Sequence, residues 1–149
     1  LPSPLNSIIP YQNVGLAKEI LQKGGLLISQ YLYKPKNKWQ LIKRYIDRNK
    51  LQAIFSDLVL LIASYSKNSA KKWNILNNKI DKGSSYTLSF ALKYKIPIAT
   101  MYDTDMDKEN PMFDLNREYV RKGAFTLNNN NYEHLINEIV NNLRTKKRL

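Results

Sequence analysis

Along this chain short uninterrupted apolar runs are separated by stretches with helical spacing, the alternation expected when strands and helices take turns. Leu26-Leu27-Ile28-Ser29 and Leu58-Val59-Leu60-Leu61-Ile62 predict strands, the second of the kind found where both faces of a parallel sheet are covered. Ile96 to Met101 predicts a further strand and Ala124 to Leu127 a last one. Leu16, Ile20 and Leu21 share a helical face, and Gly24-Gly25 ends that helix with the residue type that tolerates a left-handed cap. Leu51, Ile54 and Phe55 predict a short helix starting at Asp47, whose carboxylate can cap it. Tyr86, Phe90, Ala91 and Tyr94 predict another after Lys82-Gly83-Ser84-Ser85. Asn116 to Lys122 predicts a helix closed by Gly123, and Tyr132 to Leu143 has Leu135, Ile136, Ile139, Val140 and Leu143 in register. The pattern predicts an α/β fold, a mostly parallel sheet with flanking helices.

The polar stretches are less regular. Leu1 to Asn13 reads as an irregular lead-in with a turn at Pro10-Tyr11-Gln12-Asn13, and Asn128 to Asn131 as a loop. Ser64 to Lys82 is a lysine-rich insertion that Trp73, Ile75 and Leu76 could anchor as a helical piece.

The length of 149 residues suits one domain with a real core, and 43% hydrophobic residues keep the chain away from the disordered class. No apolar run approaches the roughly 18 residues of a membrane span, and no signal-peptide pattern opens the chain, so a cytoplasmic location without membrane contact is expected. The absence of cysteine excludes disulfides and thiolate metal sites. The charge changes the picture most. Twenty-four Lys and Arg against 12 Asp and Glu leave +12, which favours a polyanionic partner, nucleic acid first. A background rich in Lys, Asn and Ile would raise the charge with no ligand at all.

Seven basic residues fall between Tyr31 and Lys50 with Asp47 as the single acid, interleaved with Tyr31, Tyr33, Trp39 and Tyr45. A helix starting at Asp47 would put Arg48, Asn49 and Lys50 in its first turn, where unsatisfied N–H groups and the dipole favour an anion, with Lys43 and Arg44 beside them. Lys82, Gly83, Ser84 and Ser85 form a second phosphate-type turn. In such sheets ligands lie outside the carboxyl ends of the strands, so both turns are expected there, in one cleft. Trp39 and Tyr45 are candidates for base stacking and equally for packing. A solvated helix start and an ordinary Gly-Ser turn are the plainer alternatives for the two basic sites. Arg144, Lys146, Lys147 and Arg148 suit the dipole at a helix C-terminus or a DNA-binding tail.

Catalytic machinery is not expected. Asp103, Asp105 and Asp107 alternate as in a calcium loop, but Lys108 stands where that loop needs glycine. His134, the single histidine, sits at a polar position of the last helix. No Ser-His-Asp set, zinc constellation or Gly-Lys-Ser/Thr phosphate loop is present, so neither a metal nor another cofactor is expected.

Taken in order, these segments resemble the DNA-processing protein A (DprA, or Smf) family. Ile9-Pro10 with Asn13 is similar to that family's Tyr-Pro-x-x-Asn turn, and Gly24 to Tyr31 to its Gly-x-x-x-Ser-Glu-Tyr strand. Tyr45-Ile46-Asp47-Arg48-Asn49-Lys50 resembles Phe-Pro-x-Arg-Asn-Arg, and Ser56-Asp57 with the next strand fits too. Gly83-Ser84-Ser85 with Thr87 is similar to the Ser-Gly-Ser/Thr-x-x-Thr turn, and Gly123-Ala124 to the closing Gly-Ala. The resemblance covers 1–127 as part of a Rossmann-like domain, leaving 128–149 as a C-terminal helix with a basic tail. Departures are Lys50 for the last arginine, which loses its bidentate fork, Ala63 for a glutamate, and the longer Ser64 to Lys82 segment. The family's opening βα units, with their Gly-Ser-Arg turn, would precede Leu1. The resemblance implies sequence-tolerant binding of single-stranded DNA in natural transformation, with loading of a RecA-type recombinase. It also allows a homodimer, or pairing with a missing N-terminal half. The alternatives are a nucleotide-binding or nucleotide-cleaving Rossmann-like protein and an inactive remnant.

Overall fold

A computed structural model describes residues 1–76, 80, 82–128 and 130–146. By internal contacts the chain divides into Leu1–Leu51 and Gln52–Leu149, where the sequence predicts one domain. Helix α2 runs through the boundary.

The first unit begins with a buried Pro2-Ser3 and a 3-10 turn at Tyr11–Asn13, preceded by a cis Ile9-Pro10 peptide. Helix α1 spans Val14–Gln22 and ends where Gly24 takes φ +76°, as the Gly24-Gly25 pair predicts. Gly25 is tied down by close approach, since an added Cβ would stand 2.6 Å from the Ile20 methyl and 2.8 Å from its carbonyl oxygen. Leu26 to Ser29 is not a strand, which corrects the sequence reading. A strand exists only through a ladder, and this run has none; Leu26 and Ile28 are exposed. The segment is fixed instead by the Ser29 hydroxyl, which donates to the Ser3 carbonyl at 2.7 Å and accepts from the Tyr31 amide at 3.1 Å.

Helix α2 spans Lys38–Ile54 without a break, a second correction, because a start at Asp47 is what the sequence predicts. The helix begins where Asn37 Oδ1 accepts from the Gln40 amide at 2.9 Å, while Gln40 Oε1 accepts from the Lys36 amide at 2.6 Å. That is a close relative of the capping box. Asp47 serves as a partner rather than a cap: its Oδ2 accepts from the Tyr31 hydroxyl at 2.9 Å.

The second unit holds a three-stranded parallel sheet among the described residues, in the order β1 (Val59–Leu61), β2 (Ile98–Met101), β3 (Phe125–Leu127). Val59 pairs with Ile98, and Ala99 with Phe125. The central strand is covered on both faces, Ile98, Ala99 and Thr100 all being buried. β1 is not, because Leu60 and Ile62 are exposed while Leu61 is buried. Its apolar run therefore overstates its cover. Between β1 and β2 lie α3 (Ser69–Trp73) and α4 (Gly83–Lys93), and between β2 and β3 lies α5 (Asp114–Arg121), closed by Gly123 at φ +85°. α6 spans Tyr132–Lys146. The core joins Ala53, Leu61, Leu88, Ala91, Ile98, Leu115 and Tyr119. The mixed α/β architecture, with helices against a parallel sheet, is consistent with the Rossmann-like expectation.

At the carboxyl ends of the strands Asn116, fully buried, joins two of them. Its Nδ2 donates to the carbonyls of Ile62 at 2.8 Å and Met101 at 2.7 Å, and its Oδ1 accepts from the Ser64 amide at 3.2 Å. Any site at this end of the sheet stands on that stitch. Lys79 and Asp81 of the insertion, and Lys147 and Arg148 of the basic tail, lie outside the described residues.

Candidate nucleic-acid interface

In the second unit a cleft of about 360 Å³ opens at the start of α4, lined by Tyr65, Lys67, Ile80, Lys82, Ser85 and Tyr86. The N-terminus of α4 contributes Lys82, Ser85 and Tyr86 to it. Gly83 is the first helical residue, Ser84 and Ser85 complete the turn, and no side chain caps the helix at Lys82. Within the helix the Tyr86 amide donates to the Lys82 carbonyl. The backbone N–H groups of Ser84 and Ser85, together with the dipole, favour an anion in the first turn. Two lysines reinforce this, since among the described residues neither Lys67 nor Lys82 pairs with a carboxylate. Tyr65 and Tyr86 add rings at the same place. The arrangement can hold a phosphate and a flat ring together, the two needs of an extended nucleic-acid strand.

The segment that carries Tyr65 and Lys67 is tied to α5 by polar groups. The Leu115 amide donates to the Ser64 carbonyl at 3.0 Å, which fixes the chain just past β1. Asp114 then takes donors from Ser69 at 2.6 Å, Trp73 Nε1 at 2.6 Å, Lys72 at 3.1 Å and Arg117. Burial pulls the Asp114 carboxyl up, but the hydrogen bonds from Ser69, Arg117, Lys72 and Trp73 outweigh it and hold the group below the usual carboxylate range. Trp73 thus anchors the insertion, as the sequence predicts, by an indole hydrogen bond rather than by packing alone.

In the first unit the other candidates spread around α2. Arg48, Asn49 and Lys50 are in mid-helix, so the positive end of the dipole lies at Lys38 and not at them. Helical spacing puts Trp39, Lys43 and Lys50 on one face, with Trp39 81% exposed and Lys43 exposed. Arg44 is buried, its guanidinium 4.1 Å from the Tyr31 ring centroid and donating to the Tyr33 carbonyl at 2.6 Å. Arg48 is half-buried, 5.2 Å from the Tyr45 ring and bonded to Asn49 Oδ1 at 3.0 Å; Asn49 itself is buried. Tyr45 is accordingly half-covered by its own helix neighbour.

Lys82 and Ser85 therefore line the α4 cleft, with Gly83 and Ser84 in the same helix turn, while Lys43, Lys50 and Trp39 share a helix face. Tyr65, Lys67 and Tyr86 are cleft residues that the sequence reading does not select. One available signal was position, since Tyr65 and Lys67 directly follow the carboxyl end of β1, where ligands of such sheets lie. Asp103 Oδ1 accepts from the Asp105 and Met106 amides and Asp107 Oδ2 from the Asp103 amide, so these acids hold their own turn. Among the described residues no group of His, Asp and Glu could hold a metal ion, and no helix is long and apolar enough to cross a membrane.

No match is found among curated proteins or among solved structures. The family model described as DNA recombination-mediator protein A matches residues 1–140. That span takes in the Arg48 segment, the α4 turn and Gly123-Ala124 alike. On a match over nearly its whole length, and in agreement with the order of its motifs, the chain belongs to the DNA recombination-mediator protein A (DprA) family.

Proposed function

We propose that the chain binds single-stranded DNA with little sequence preference, in the DNA processing of transformation and recombination, and delivers it to a RecA-type recombinase in the cytoplasm. The observation that carries this reading is the α4 cleft, which Lys67, Lys82 and the first turn of a helix line together with Tyr65 and Tyr86. Family membership and the +12 charge support it. Phosphates are gripped by the lysines and the helix start, bases rest on the rings, and neither term reads a base edge. The Trp39, Lys43 and Lys50 face of α2 supplies a second contact of the same kind. Neutralising each phosphate releases counterion, so affinity falls steeply with salt. The test is fluorescence anisotropy of labelled oligo(dT) at two salt concentrations with wild type and Lys82→Ala. Weaker binding with a shallower salt dependence in the variant is expected. An unchanged affinity and slope would remove the cleft from the mechanism.

One observation favours a second reading: the cleft volume of about 360 Å³ is within the range of small-molecule sites. A nucleotide-binding protein predicts thermal stabilisation by mononucleotides, whereas the first reading predicts stabilisation by oligonucleotides only.

A further inference from the structure

Tyr65 and Lys67 flank Ser66, and Ser66 is held by a buried relay that reaches α5. The Ser66 amide donates to the Ser69 hydroxyl at 2.8 Å, the Ser69 amide donates back to the Ser66 carbonyl at 3.1 Å, and the two hydroxyls are 3.3 Å apart. Ser69 is completely buried, and its hydroxyl donates to Asp114 Oδ2 at 2.6 Å. One hydroxyl thus accepts from the residue between Tyr65 and Lys67 and donates to a carboxylate 45 residues further along the chain. Asp114 is well placed for this, because Arg117 and Lys72 neutralise it and Arg117 also donates to the carbonyls of Asp107 and Asn110. A lone carboxylate beside a phosphate cleft would repel the ligand; this one is spent inside the unit. The five-residue α3 is too short to be stable on its own, and Ser69, Lys72 and Trp73 all bond Asp114, so its register depends on Asp114.

We infer that Ser69 and Asp114 are positioning residues for the cleft: through Ser66 they set where Tyr65 and Lys67 stand opposite the first turn of α4, without touching the ligand themselves. The inference rests on the cleft reading proposed above, and its test separates the two. Oligo(dT) anisotropy is measured for Ser69→Ala, Lys67→Ala and the double variant across a salt series. A misplaced lysine is as good as a missing one, so Ser69→Ala should lower the salt slope as Lys67→Ala does, by about 0.7 each. The double variant should bind no more weakly than Lys67→Ala, because the two changes remove one contact. A role in stability alone predicts a lower melting temperature with wild-type affinity and slope for the folded protein, and that result, or additive losses, overturns the inference. If Lys67→Ala binds like wild type, the cleft reading fails, and hydrogen exchange then decides the positioning separately. Faster exchange of amides 64–73 in Ser69→Ala, with α4 unchanged, upholds it; wild-type exchange there overturns it.

Discussion

Lys43 and Arg44 are neighbours on one helix with different environments. Arg44 is enclosed by Tyr31 and the Tyr33 carbonyl, whereas Lys43 points its charge at solvent. Arg44→Ala should therefore cost the first unit about 1–3 kcal/mol through the lost carbonyl bond and ring contact, and leave the salt slope of DNA binding unchanged. Lys43→Ala should do the reverse, with wild-type urea denaturation and a shallower slope. Asp114 carries a prediction about acid. Its folded-state pKa is depressed, so its contribution is fully present above the ordinary carboxyl value of 3.8 and is lost as the pH falls through the lower folded value. Near neutral pH, Asp114→Asn should cost about 3 kcal/mol, because Arg117 keeps its buried charge and loses its partner. In acid below the carboxylate range the wild type and this variant should converge, and unfolding curves at the two pH values will show whether they do.

At the scale of elements, α2 decides how the candidates are arranged. Asn37→Ala should remove about 1 kcal/mol and speed hydrogen exchange in the turn that carries Trp39, leaving the Arg48 turn protected. Had the helix begun at Asp47, the Arg48 turn would exchange first. Asp47 reads as a cap because it precedes a helical stripe, but Tyr31 takes its carboxylate, and that partner is 16 residues away. What was legible in the sequence was local: β1, β2, β3 and α5 are apolar runs or stripes bounded by glycine and polar turns, and Lys82 to Ser85 is a helix start in its own composition. What was not legible depended on distant partners. Leu26 to Ser29 has the pattern of a strand but no ladder to join, and Ser66, between the cleft residues Tyr65 and Lys67, is bonded to Ser69, whose partner Asp114 is 45 residues further along.

For the whole molecule the question is what +12 is for. A charge spread by composition alone attracts any polyanion weakly, and removing one lysine would then change little. A built site concentrates the effect on a few side chains, each with its own share of the salt dependence. The most direct measurement is oligo(dT) anisotropy across a salt series for wild type, Lys67→Ala and Lys82→Ala. If the α4 cleft grips single-stranded DNA, binding falls linearly on a log–log plot, each substitution lowers the slope by about 0.7, and a mononucleotide does not compete. A wild-type slope in either variant, or no binding at low salt, would contradict the account.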